Sequence, residues 1–98
     1  MGKKRIYISG KITGESNYKS IFEKAEKELT SKGYDVINPC KVAEYEFFTY
    51  EEFMKMDFLL IEMVDAIYML KNWKTSKGAK AELRYAEALG KKVYFEED

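Results

Sequence analysis

The chain has 98 residues, of which 46% are hydrophobic, 15% aromatic and 35% charged. That supports one domain, residues 1–98, with a modest core. Seventeen Lys and Arg balance 17 Asp and Glu, and there is no histidine, so nothing electrostatic argues for nucleic acid or an anionic membrane. Zinc sites built on histidine, Ser-His-Asp triads and Cys-His dyads are excluded.

Cys40 has no partner for an internal disulfide, which fits a reducing cytoplasm. The opening residues hold only a short apolar run before Gly10, so neither a signal peptide nor a membrane span is expected.

In chain order, Arg5 to Ser9 reads as a buried strand, rich in β-branched and aromatic residues and ended by Gly10. A glycine-containing loop leads to a helix from about Tyr18 to Ser31, with Ile21, Phe22, Ala25 and Leu29 on one face. Asn17 is placed to cap it and Gly33 to end it. Tyr34 to Ile37 is a second strand, closed by Asn38-Pro39. Cys40 to Tyr50 is irregular and aromatic. Thr49 and Glu52 form a capping box for a second helix running to about Met63.

Asp65, expected to cap backbone groups, opens a third strand, Ala66 to Leu70. The polar loop Lys71 to Thr75 leads to a third helix, capped by Ser76 and stopped by Gly90. Val93 to Phe95 is the last strand. Strands alternating with helices predict an α/β fold, a Rossmann-like or flavodoxin-like three-layer sandwich with a parallel four-stranded sheet. Ligands of such sheets bind beyond the carboxyl ends of the strands.

Two acids stand where apolar residues are expected. Glu82 falls in the helical stripe of Ala79, Leu83, Ala86 and Leu89, and Asp57 falls among Phe53, Leu60, Ile61 and Val64. Burying a carboxylate is costly unless a partner or a task compensates. From the residues alone two readings stay open. These acids mark a site, or they bend to solvent or pair with a cation such as Arg5 or Arg84. Tyr7, central in the first strand, is either core or a hydroxyl that orients Glu82.

The loop Ser9-Gly10-Lys11-Ile12-Thr13-Gly14 is either an ordinary strand-to-helix turn or a backbone cradle for phosphate. Ser76, with Gly78 behind it, is either a helix cap or a second anion cradle. Trp73, Tyr45, Phe47 and Phe48 either stack on a base or form a subunit interface, and the interface is the preferred reading for most of them.

Four pieces together resemble a known family. They are Ile6-Tyr-Ile-Ser-Gly-Lys-Ile-Thr-Gly14, Ile37-Asn-Pro39, Asp57 with Asp65, and Ser76-x-Gly-x-x-x-Glu82 ahead of Ala86 and Leu89-Gly-Lys-Lys-Val93. In this order and spacing the chain resembles the nucleoside 2-deoxyribosyltransferase-like superfamily, which includes 2'-deoxynucleoside 5'-monophosphate N-glycosidases, and its small bacterial and phage-borne branch. The resemblance implies a nucleophile at Glu82, a carboxylate-holding hydroxyl at Tyr7, and a sugar contact or acid at Asp57. It lays Ser9, Gly10, Lys11 and Gly14 along a nucleotide, with Ser76 and Gly78 at its phosphate.

Nucleoside transferases of the family tend to carry an acid at the position of Ser76, so serine leans towards a 5'-phosphorylated substrate. Relatives usually have a fifth strand. Here the sequence ends after the fourth, so residues that relatives supply from that region, often across a dimer interface, are expected to be absent or to come from elsewhere. The resemblance implies a small-molecule nucleoside or nucleotide as partner, no metal or organic cofactor, and a homodimer or higher homo-oligomer. The competing expectation is a module that binds a nucleotide-derived ligand as a sensor or sequestering protein. A third is a structural subunit docked through its aromatic loop.

Overall fold

A computed structural model describes residues 2–97. The chain runs β1 (Arg5–Ser9), α1 (Tyr18–Ser31), β2 (Asp35–Ile37), α2 (Tyr50–Glu62), β3 (Ala66–Met69), α3 (Lys77–Ala88) and β4 (Lys92–Phe95). Short 3-10 turns occupy Pro39–Lys41 and Lys71–Thr75. The four strands form one parallel sheet in the order β2-β1-β3-β4. This is the expected α/β sandwich.

The apolar run of β1 is explained by its place in the middle of the sheet, where both faces are covered. Alternate residues point to opposite faces. Ile6 and Ile8 pack against Phe22, Ala25 and Leu29 of α1. Tyr7, Ile67 and Met69 face the other way, against Ile61, Val64, Ala79, Leu83 and Ala86 around α2 and α3.

Local chemistry sets the ends of the elements. Thr49 and Glu52 form the reciprocal capping box of α2, with bonds of 2.8 and 3.1 Å. The Ser76 side chain accepts the Ala79 N–H at the start of α3. Asp65 accepts the Arg5 N–H at 2.8 Å and so ties the entry of β3 to β1.

Some boundaries differ from the sequence reading. Asn17 occupies the cap position of α1 without a capping hydrogen bond from its side chain. Tyr34 lies outside β2, because its N–H turns back to the Leu29 carbonyl after Gly33, whose φ is +98°. Leu70 leaves β3 to begin the 3-10 turn that replaces the expected loop. Leu89 is 43% exposed although it still bonds helically to the Tyr85 carbonyl at 3.1 Å, and the buried part of the α3 stripe ends at Ala86.

The strand order matters for function. The chain leaves β1 for β2 on one side, then crosses to β3 on the other. The loops following β1 and β3 therefore diverge at the carboxyl edge and open a crevice between them. No helix of the described residues is long and apolar enough to cross a membrane.

Candidate active site

Glu82 is on the inner face of α3 and only 5% exposed. Two hydroxyls from β1 hold its carboxyl group. Tyr7 Oη donates to Glu82 Oε2 at 3.0 Å, and Ser9 Oγ donates to Oε1 at 2.7 Å. Tyr7 and Ser9 are two residues apart on one strand, so both reach the same helix. No buried side-chain polar atom among the described residues lacks a partner. The cost of burying this acid is thus partly offset, since each hydrogen bond to a charged group contributes about 1.5–3 kcal/mol.

Asp57 extends from α2 towards the same group. Burial is the main cause that raises the pKa of Glu82, and the negative charge of Asp57 adds to it, while the bonds from Ser9 and Tyr7 oppose the rise. Burial also raises the Asp57 carboxyl, against bonds from Glu82 and Tyr7 that lower it. The Tyr7 phenol is pushed well up, by burial first and by Glu82 second. Two acids raised in one small space favour holding a proton between them over carrying two negative charges.

A cavity of about 740 Å³ opens beside this pair, within the size range of sites for small ligands. Asp57 and Ala79 form its inner wall, and Ser76, Lys77 and Gly78 bring the N-terminus of α3 to its rim. Gly10, Ile12 and Thr13 close one side, and Tyr50, Phe53 and Met54 of α2 the other. Glu82 is not part of the lining and follows Ala79 by one turn of α3. The cavity is where the strand order calls for it, beyond the carboxyl ends of β1 and β3.

The structure thus brings Glu82, Asp57 and Tyr7 together, with Gly10, Ser76 and Gly78 at the cavity. Three expectations change. Ser9 points to Glu82 and not along the cavity. Lys11 does not line the cavity, and its N–H is held at 2.9 Å by Asn72 Oδ1; the lysine at the rim is Lys77. Gly14 is also outside, at a turn where its φ of +83° suits glycine. Arg5 and Arg84 do not pair with Glu82; the Arg5 side chain donates to the Met63 carbonyl.

The sequence reading missed Asn72. Its Oδ1 accepts from Lys11, and its Nδ2 donates to Glu15 at 3.3 Å. It fastens the loop after β1 to the turn after β3. An asparagine just past a strand was the available signal. The reading also missed Tyr50, Met54 and Tyr18, which line the cavity.

Of the aromatic residues, Tyr45, Phe47, Phe48 and Phe53 form one cluster. Trp73 stands apart from it and packs against Phe95, with ring centroids 5.8 Å apart.

Solved structures share this architecture. A 2-desoxiribosyltransferase from Leishmania mexicana superposes with a TM-score of 0.73 at 22% identity, covering 94% of this chain and 63% of that one. A 2-deoxyribosyltransferase from the psychrotolerant bacterium Bacillus psychrosaccharolyticus gives 0.73 at 28% identity, covering 93% and 70%. The chain therefore spans less than two thirds of the length of the Leishmania protein. It has the nucleoside 2-deoxyribosyltransferase-like fold. Comparison with curated proteins finds no match. Residues 4–95 match the model of the family described as Domain of unknown function (DUF4406), and the chain belongs to that family.

Proposed function

We propose that this protein cleaves the N-glycosidic bond of a (deoxy)nucleoside 5'-monophosphate or nucleoside, with Glu82 as nucleophile. The observation that carries this reading is a buried carboxylate held by two hydroxyls, beside a second acid on the wall of a cavity. Likeness to 2-deoxyribosyltransferases supports it.

Burial and the neighbouring acid hold Glu82 up to about 8, and burial holds Asp57 up to about 6, so in the free protein the proton of the pair rests on Glu82. For turnover it passes to Asp57 and leaves the negative charge on Glu82. The Glu82 carboxylate, which does not line the cavity, turns towards it, and one of its oxygens attacks C1' of the sugar as the bond from C1' to the base nitrogen breaks. The bonding electrons leave with the base, which takes the proton from Asp57. Water or a second base then attacks C1', breaks the glycosyl ester and returns a proton to Asp57. Two displacements at one carbon retain its configuration. Tyr7 and Ser9 fix the nucleophile and limit its negative charge.

At the rim, Ser76, Gly78 and the positive end of the α3 dipole are suited to a 5'-phosphate, with Lys77 as the adjacent cation. The test is release of free base, followed by chromatography, from a panel of nucleosides and their monophosphates. No release from any member at high protein concentration would overturn the reading.

Ser76→Asp tests the phosphate end separately. Aspartate caps a helix as well as serine does, so α3 stays formed while the new charge repels phosphate. KM for a monophosphate rises about tenfold or more, and turnover of the parent nucleoside changes little. Equal loss on both substrates would remove the phosphate from the proposal.

One observation favours a second reading, a module that binds a nucleotide-derived ligand without converting it. Asp57 lines the cavity and Glu82 does not, so a ligand can fill the cavity without touching Glu82. Ligand-dependent thermal stabilisation with no product, unchanged by Glu82→Gln, would select this reading.

A further inference from the structure

The two edges of the sheet are unequal. β2 offers only Asp35–Ile37 before Pro39 ends it, and short edges closed by proline resist pairing. β4 is longer, and nothing among the described residues pairs with its outer side. Its hydrogen bonds to β3 use the N–H groups of Lys92, at 3.3 Å to the Asp65 carbonyl, and of Glu96, at 2.8 Å to the Met69 carbonyl. By strand alternation, Val93 and Phe95 turn their N–H and C=O groups to the open edge. Tyr94 is 40% exposed and Phe95 52% exposed. An open edge with large apolar side chains is a template for another strand.

The sequence of this strand, Lys91-Lys-Val-Tyr-Phe-Glu-Glu97, complements itself when reversed. We infer that β4 pairs antiparallel with β4 of a second copy of this chain, on a two-fold axis through Tyr94. That axis sets Val93 opposite the partner's Phe95, and these are the residues whose backbone groups face outward. The pair exchanges two hydrogen bonds, and symmetry repeats it.

Lys92 then faces the partner's Glu96, and Lys91 faces the partner's Glu97, so each half carries opposite charges. An axis through Val93 puts Lys92 against Tyr94 and Lys91 against Phe95, and one through Phe95 puts Tyr94 against Glu96 and Val93 against Glu97, so the double Lys–Glu match is kept only with the axis at Tyr94. A two-fold axis perpendicular to the sheet keeps each residue and its opposite on the same face, as this register requires. On one face the partner's Val93 extends the apolar surface of Trp73 and Phe95. The result is an eight-stranded sheet continuous across two copies.

The experiment is cysteine crosslinking with size measurement. Tyr94→Cys meets its own copy across the axis. Opposed residues of a pair not bonded to each other have Cα atoms about 4.5 Å apart, within disulfide reach. Mild oxidation is expected to give a covalent dimer, whereas Lys27→Cys on the exposed side of α1 gives none. Light scattering is expected to show a dimer for the unaltered protein. Lys92→Glu weakens it about tenfold, from two like-charge contacts per dimer.

Val93→Pro removes an outward N–H without touching the bonds to β3, so it yields a monomer with unchanged circular dichroism. The inference is overturned by a protein monomeric up to its solubility limit. A dimer that Tyr94→Cys fails to link would overturn it equally, since another face must then make that dimer.

Discussion

Replacing Glu82 with glutamine is expected to abolish base release, by about a thousandfold or more, and to make the protein more stable. The two effects share one cause. The carboxyl group is buried, and its pKa is raised above the ordinary carboxylate range, by burial first and Asp57 second.

The folded chain therefore binds more protons here than the unfolded chain does. The stabilising contribution of this acid is complete below the unfolded pKa, near 4.5, and is lost as pH rises through the folded value of about 8. Glutamine is neutral throughout. Its amide oxygen accepts from Tyr7 or Ser9, and its amide nitrogen donates to Asp57.

The Tm of Glu82→Gln should exceed that of the unaltered protein by about 5 °C or more at mildly alkaline pH. The difference should close towards acid pH. An inactive but more stable variant is what a site kept at a cost to stability yields. Thermal melts across pH, next to the base-release assay, measure both effects. A lower Tm at every pH would make Glu82 a structural hydrogen-bond acceptor and remove the main support for the nucleophile.

Gly10→Ala is expected to lower Tm by on the order of 10 °C, from an overpacking cost of about 1–3 kcal/mol. A Cβ there would lie 2.6 Å from Leu70 Cδ1, 2.9 Å from Leu70 Cβ and 3.1 Å from Asn72 Oδ1. Leu70 is fully buried and cannot withdraw. The loop after β1 would have to lift away from the turn after β3 and take one wall of the cavity with it.

Gly78→Ala is the comparison. Its Cβ meets the Tyr50 hydroxyl at 3.2 Å and Met54 Sδ at 3.5 Å, both at the ends of flexible side chains. Its melting should change by a few degrees at most. Equal melting of the two variants would show that the contact with Leu70 is not what requires glycine at position 10.

Much of this architecture was legible because the signals were local. The apolar run of β1, the Thr49-Glu52 capping box and the Ser76 cap each follow from residues a few positions apart. Glu82 and Asp57 were visible as acids inside helical stripes. What stayed hidden depends on direction in space. Ser9 and Tyr7 alternate with Ile6 and Ile8, and only the packing of α3 shows that their face meets Glu82. Lys11 sits in a glycine-bearing loop and reads as a phosphate ligand, yet Asn72, sixty-one residues later, holds its backbone. Lys77 at the rim is an ordinary first-turn residue until the crossover from β1 to β3 brings it to the same cavity as Gly10. Leu89 continues the stripe of α3 in register yet lies past the core that Ala86 reaches, and periodicity does not show where a core stops.

The single thiol has a use as a reporter. Cys40 is 6% exposed in the layer beneath α1, and burial pushes it up to about 12, so little thiolate exists to react at neutral pH. Its side chain sits in the Pro39–Lys41 turn and borders a groove lined by Lys19, Glu23 and Glu26 of α1, so a sulfhydryl reagent reaches it as this turn and α1 move apart. The rate of labelling therefore times the breathing of that layer, on the face of the sheet away from Glu82, with no probe added to the chain.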